Sequence, residues 1–558
     1  MPPAEIGAPA ALATAVSRLN TMVTRGAVNP IEAQRVLKEA QSAVDLSMGI
    51  PALTAADLVP PFIIKTVQPT SLSTKEDRQQ EIQRTGFNVF CVRAESIFLD
   101  LLTDSGTGAP SDAMRAAIEL ADERYSHSMT YEEFIPVAQQ IFNKPFVLPV
   151  HQGRAAENIV FTVLLGELVK RAAEKGKKAV CLGNTYFDTT FANSARQGAL
   201  VINSPCAESR DINGYHPFKG NADVDSMEAA ILENGPENIG FVVMTVVNNT
   251  IGGQPVSLAN QRAVSELCKK YGITYILDAA RVFENAYLIQ QREEGYEKKS
   301  IQEIVHEMTS MADVVLMSGK KDAIANMGGL AAFNNETLYK YCQTLCILIE
   351  GHYSYGGMSG RDLAALTLGL QEGMNQDYLR SRINQVAALG YGFRRLGFPI
   401  QWPPGSNGIY LDGRSFLDGI DPRFFPAQRI CTEVFVRYGI RPVEIGLSLA
   451  GRDANGIKVI PETDLVRFTI PRRVFTGDHI RYILEVMAEL HDQRAQIGGL
   501  VYEQEGFGNG HFTSRFRPVG REEIPGLTDQ VSGYFNTPFN TYSAAYLPEN
   551  ARKTYLIP

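Results

Sequence analysis

Four short apolar runs in the middle of the chain constrain its fold more than any other feature. They are KAVCLG (178–183), IGFVVMTVV (239–247), ITYILD (273–278) and ADVVLMSG (312–319). None alternates apolar with polar residues, so each is expected to be a strand buried on both faces, as in a mostly parallel sheet. Helix-like stretches lie between them, such as 258–270 and 300–310. Ser111-Asp112 opens another amphipathic run to about Arg124, and a further helix is expected to follow Arg154 and end near Gly176. The pattern is that of an α/β protein with right-handed crossovers.

At roughly 100–200 residues per domain, a chain of 558 residues holds more than one. The reading divides it into an N-terminal extension (1–55), a large domain (111–375), a smaller one built from 56–110 and 376–516, and a C-terminal arm (517–558). In the extension, Asn29-Pro30 caps and starts a helix that runs to about Met48, before Gly49. The arm carries Pro525, Pro538 and Pro548 and reads as extended over the surface or over a neighbouring subunit. Lys and Arg number 53 against 61 Asp and Glu, a net charge of −8, which argues against a nucleic-acid partner. No apolar stretch approaches 18 residues, so a spanning helix is not expected. The amino end has Glu5 and no basic start, unlike a signal peptide. Seven scattered cysteines fit reduced thiols in a cytoplasmic protein, and the eight histidines show no zinc-type spacing.

In open α/β sheets, ligands bind beyond the carboxyl ends of the strands. The first run is followed by Asn184-Thr185-Tyr186-Phe187-Asp188, and the second by Asn248-Asn249 and then Gly252-Gly253. The third ends in Asp278, with Arg281 one turn on, and the fourth in Ser318-Gly319-Lys320-Lys321. An aromatic ring, an amide, an acid, an arginine and a lysine therefore converge on one edge. This set suits pyridoxal phosphate, which needs a lysine for its aldehyde, a carboxylate to keep its ring nitrogen protonated, a flat neighbour and a phosphate cradle. Gln152-Gly153-Arg154, just ahead of a predicted helix, offers backbone N–H groups and a cation to the phosphate, and Ser318 adds a hydroxyl. Singly, each residue has a plainer use: Asp278 as a helix cap, the lysine pair as a solvated surface, Phe187 as core. Their joint placement favours the cofactor.

Longer strings occur in a fixed order: DLLTDSGTGA (100–109), HQGRAAENI (151–159), YFDTT (186–190), GGQPVSLAN (252–260), DAARVFENAY (278–287), SGKKDA (318–323), FPAQ (425–428), VEIG (443–446), LVRFTIPRR (465–473) and HFTSRF (511–516). Together they resemble the β-eliminating aromatic amino-acid lyases, the family of tryptophanase and tyrosine phenol-lyase, over about residues 85–516. The resemblance implies the pyridoxal-phosphate transferase-like fold (fold type I), with a large domain around a mostly parallel sheet and a smaller α/β domain. It implies that Lys321 anchors the cofactor and removes the substrate's Cα proton, that Asp278 partners the ring nitrogen, that Arg281 faces the ring oxygen and that Phe187 stacks on the ring. Gln152, Gly153, Arg154 and Ser318, with Lys320, would hold the phosphate. Arg467 would bind the substrate carboxylate two-for-two, helped by Thr103, Ser105 and Asn249. Tyr125, in DERYSHS, would transfer a proton and reach into the neighbouring subunit's site. Glu123, with the backbone carbonyls of Gly106 and Asn326, would bind potassium. The resemblance also implies a homotetramer of dimers, with sites at the dimer seam.

Phenol-releasing members of this family satisfy the hydroxyl with an arginine in an ERG string and a threonine after the stacking Phe. Ile445, within VEIG, and Asp188 stand there in this chain. An unpaired buried hydroxyl costs roughly 1–3 kcal/mol, which counts against tyrosine. Indole carries an N–H donor, and Asp188 is an acceptor; His511 and Val443 match the tryptophan-cleaving pattern as well. The expected reaction is β-elimination of L-tryptophan to indole, pyruvate and ammonium. SGKKDA and the Asn326 after it follow the phenol-lyase version, and EGHYSYGGMSGRD (350–362) departs from both, with His352 and Tyr353 in place of Phe and Pro. Tyrosine and S-substituted cysteines therefore stay open as substrates, as does a catalytically silent, cofactor-binding scaffold.

Overall fold

The structure is a computed structural model that describes residues 29–450, 456–506 and 510–536, with 19, 21–25 and 452. The central sheet has seven strands: β1 (Phe146–Val150), β2 (Val180–Gly183), β3 (Leu200–Asn203), β4 (Ile239–Thr245), β5 (Thr274–Asp278), β6 (Val314–Ser318) and β7 (Gly329–Phe333). Their order is β1-β7-β6-β5-β4-β2-β3. All neighbours from β6 to β3 pair parallel, and only β7 runs against its neighbours.

The four apolar runs are β2, β4, β5 and β6. Successive residues in them serve opposite faces. Val242, Met244, Tyr275, Leu277, Val315 and Met317 pack into one core, while Phe241, Val243, Ile276, Val314 and Leu316 pack into another. Both faces are covered, so the runs carry no polar alternation.

The helix α1 (Pro30–Ser47) starts as expected: the Asn29 side chain accepts from the Ile31 N–H at 2.9 Å, and Pro30 occupies the first turn. α2 (Gly153–Glu174) buries Ala155, Ile159, Phe161, Leu165 and Leu168 against the second face of the sheet. α3 (Asp188–Arg196) follows Phe187 directly. The helix expected from Ser111 ends at Leu120 rather than Arg124. Asp122 instead accepts from the Thr130 N–H at 3.0 Å and the Met129 N–H at 3.1 Å, and this turn stops the helix.

A separate core gathers Leu389 and Phe393 of α4 (Gln376–Arg395) with Trp402, Leu411, Phe435, Val466 and Phe468. Its sheet is antiparallel, with β9 (Val443–Ile445), β10 (Leu465–Thr469) and β8 (Gly408–Asp412) in that order. Leu99–Asp100 pairs parallel with Ile440–Arg441 and ties the 100–109 segment to this core. α1 docks here too: Asp45 takes both prongs of Arg395, at 2.8 and 2.7 Å, Arg394 donates to the Met48 carbonyl at 3.0 Å, and Ile50 is buried.

The C-terminal arm corrects one expectation. After the hairpin of β11 (Gly499–Gln504) and β12 (Arg515–Val519), residues Ile524–Asn536 form a helix, α5, instead of an extended strand. Pro525 lies in its first turn, where a missing N–H costs nothing. Phe535 is buried with Phe425, Leu447, Leu500 and Phe516. The rest of the arm, 537–558, and the residues 1–18 read as free of a signal peptide lie outside the described residues. No described helix is long and apolar enough to cross a membrane.

Candidate active site

β2, β4, β5 and β6 end on one side of the sheet, and the polar residues after them meet in a cleft. Phe187, Asp278, Ser318, Lys320 and Lys321 reach it from the strand ends, Gln152, Gly153 and Arg154 from the start of α2, and Ser105 from the 100–109 segment. Glu157 and Thr189, which the sequence reading passed over, line it as well.

The start of α2 lies against the end of β6 so closely that a Cβ on Gly153 would stand 2.8 Å from the Ser318 Cβ. The first N–H groups of a helix lack partners inside it. Here they open on the cleft beside Arg154 and the Ser318 hydroxyl, which makes a setting for an anion. Deeper in, burial and the charge of Arg281 push the Lys321 amine down to about 8. Burial raises the Asp278 carboxyl, opposed by the Ala280 N–H, which it accepts at 3.1 Å, and by Lys321 and Arg281. Asp188, at the first position of α3, is likewise raised by burial and lowered by the Thr189 N–H, Arg154, Arg467 and Lys321. Arg281 itself gives two donors to Asp104, at 2.9 and 2.7 Å.

The beta-eliminating lyase family matches the chain over residues 100–485. The chain belongs to the beta-eliminating lyase family. A tyrosine phenol-lyase of Intrasporangium calvum is 39% identical over 464 residues, 83% of this chain and 96% of the relative. A tryptophanase of Haemophilus influenzae is 41% identical over 466 residues, 82% of this chain and 98% of the relative. Two solved structures share the fold at low identity. A serine palmitoyltransferase of Sphingomonas wittichii has a TM-score of 0.51 at 12% identity and covers 75% of this chain and 96% of its own. A threonine aldolase of Leishmania major has a TM-score of 0.50 at 14% identity, over 70% and 99%.

Beta-eliminating lyases of this kind depend on pyridoxal phosphate, and the cleft fits it. The glycine-only approach of α2 to β6 leaves a cradle for the phosphate, and a partly buried acid, Asp278, and a partly buried amine, Lys321, line the same cleft, each feeling the other's charge. The other residues that the sequence pointed to in this beta-eliminating lyase are not among those that line the cleft. Arg467 stands near Asp188, opposite Val443 on one side and Tyr410 on the other. Its Nη2 donates to the Leu102 carbonyl at 2.6 Å, and its buried Nε has no partner. Thr103 accepts from the Ser105 N–H at 3.1 Å, and the Asn249 Oδ1 accepts from Asn407 and the Tyr410 hydroxyl, both at 2.8 Å. Val443 and Ile445 form an apolar wall with Tyr410 and Leu465.

His511 lies behind this wall, packed on Phe90 with ring centroids 5.4 Å apart; burial and Lys458 push its imidazole down to about 4, so it is neutral at pH 7. Tyr125 and Glu123 are not brought to the cleft within one chain. Tyr125 is 74% exposed against His352 and Tyr355. Glu123 accepts from the Gly360 N–H at 2.8 Å and pairs with Arg361 at 3.2 Å. Gly106 and Asn326 do meet, through the Asn326 amide and the Gly106 carbonyl at 2.9 Å.

Proposed function

We propose that the protein cleaves L-tryptophan to indole, pyruvate and ammonium. The observation that supports this substrate is the apolar cluster of Tyr410, Val443, Ile445 and Leu465, read here as the wall around the leaving group. Ile445 is apolar and buried, and Asp188 is the acidic neighbour of Phe187. A phenol oxygen would find no donor at Ile445, whereas an indole N–H needs only an acceptor, which the Asp188 carboxylate is.

Bound pyridoxal phosphate supplies an electron sink for charge that develops at the substrate's Cα. Gln152, Gly153, Arg154 and Ser318 hold its phosphate, with Lys320 adding charge. Phe187 covers one face of the ring, and Asp278 keeps a proton on the ring nitrogen. Arg467 takes the substrate carboxylate; Thr103, Ser105 and Asn249 flank it. Lys321, whose lowered pKa leaves much of it neutral near pH 8, removes the Cα proton at its Nζ. Indole leaves only once its C3 gains a proton. The partner subunit's Tyr125 supplies that proton, with Asp188 orienting the indole and neutral His511 backing the wall. The C3–Cβ bond then breaks, and the three-carbon remainder takes up water to give pyruvate and ammonium.

A homotetramer of dimers completes the site, with potassium held by Glu123 and the backbone carbonyls of Gly106 and Asn326. Pyruvate release from L-tryptophan, L-tyrosine and S-methyl-L-cysteine, each with and without potassium, tests the reading. Tryptophan is expected to give the highest kcat/KM, and potassium to raise it. A higher kcat/KM on tyrosine sinks the substrate assignment, and a Lys321→Ala variant that still makes pyruvate at near wild-type rate sinks the mechanism.

A further inference from the structure

Arg467 and Arg472 belong to one run, LVRFTIPRR (465–473), and both grip the 100–109 segment. Arg467 donates to the Leu102 carbonyl at 2.6 Å. Arg472 donates through Nη1 to the Asp104 carbonyl at 3.2 Å and the Asp104 carboxylate at 2.9 Å. The segment held between them carries Thr103 and Ser105, and the Gly106 N–H donates on to the Lys320 carbonyl at 2.7 Å.

The other prong of Arg472 points at the lysine loop. Its Nη2 reaches Glu284 at 2.7 Å and Asp322, the residue after Lys321, at 3.2 Å. Asp322 in turn accepts from the Phe283 N–H at 2.7 Å and the Glu284 N–H at 3.1 Å. Arg382 adds a second guanidinium, 3.1 Å from Glu284, and Asp104 holds a third, Arg281, whose charge faces Lys321. Three arginines and three acids thus form one buried cluster; Arg472 and Asp104 are each 1% exposed.

Stability does not account for such a cluster. Buried ion networks are often matched or bettered by apolar packing, and here the Arg472 Nε and one Arg382 Nη1 are buried without partners. Geometry does account for it. We infer that Arg472 is a positioning residue, which fixes the carboxylate grip of Arg467 and the base Lys321 in one frame through Asp104 and Asp322. The inference rests on the β-elimination reading above. The groups that face Lys321 are Arg281, Asp104, Asp278 and Glu157; Arg472 acts on it only through the loop and Asp104.

The test compares the wild-type holoenzyme with Arg472→Lys, Asp322→Asn and a control, Arg473→Lys, whose side chain pairs with Glu372 outside the cluster. Melting temperature, cofactor absorbance, kcat, KM and the isotope effect with Cα-deuterated L-tryptophan are measured for each. Arg472→Lys is expected to keep its cofactor band, lose about 10-fold or more in kcat with KM changed by less than about threefold, and show a raised isotope effect, because a misplaced base makes proton removal slower. Asp322→Asn moves the same way by a smaller factor, and Arg473→Lys stays within about twofold of wild type. A folded Arg472→Lys enzyme with kcat within about threefold of wild type, or with a loss that leaves the isotope effect unchanged, overturns the inference. Should Arg472→Lys fail to fold, Asp322→Asn decides alone: an unchanged isotope effect there overturns it. A wild-type enzyme that releases no pyruvate sinks the reading beneath, which is a separate result.

Discussion

Glu157 sits near the start of α2, in the wall of the cleft, where Thr190 and Asn193 donate to its carboxyl. Burial and the negative charge of Asp278 push it up to about 7. The unfolded chain gives up this proton near pH 4.5, the folded chain near 7. Stability from this group is therefore fully present below pH 4.5 and is lost as the pH rises to 7, on the order of 3 kcal/mol in all. Glu157→Gln, studied without added pyridoxal phosphate, is expected to raise the melting temperature relative to wild type at pH 8 and to leave little difference at pH 4.5. An equal difference at both pH values refutes the raised pKa. At this scale the sequence was legible where function and strand ends coincide. Asp278 ends one apolar run and Lys321 lies two residues past another, so position alone marks them. Glu157 lies in the quoted HQGRAAENI string but reads as one more helix residue, because nothing local shows that its helix starts against β6. Asp104 and Arg472 meet across 368 residues of chain, a distance no local pattern spans.

Among the elements, strands buried on both faces declare themselves by unbroken apolar runs, and β2, β4, β5 and β6 fell where those runs lie. β1, β3 and β7 escaped notice for separate reasons. β1 contains Pro149, β7 is built on Gly329 and two alanines, and β3 is only four residues long and half exposed. Three prolines dominate the composition of the tail and suggest extended chain, although Pro525 only starts the helix α5. The helix is held by side-chain burial, and Phe535, 3% exposed, is its deepest anchor. Phe535→Ala is expected to cost about 3 kcal/mol in denaturant unfolding. A midpoint unchanged from wild type means that α5 does not dock.

For the whole molecule, the separation of Tyr125 from Lys321 in one chain sets a test of assembly. Neither Tyr125→Phe nor Lys321→Ala alone is expected to turn over appreciably. Co-expressed in equal amounts, they form mixed pairs in which one of two sites combines an intact Lys321 with the other chain's intact Tyr125, and about a quarter of all sites regain activity. No recovery means that each chain works with its own tyrosine or none. The docking of α1 has a practical side as well. Shortening the protein to begin at Asn29 leaves Arg395 its carboxylate and the hydrophobic interior its plug at Ile50; shortening it to Pro51 removes both at once. Any truncated form made for crystallisation or immobilisation belongs on the near side of that helix, even though the family match begins only at residue 100.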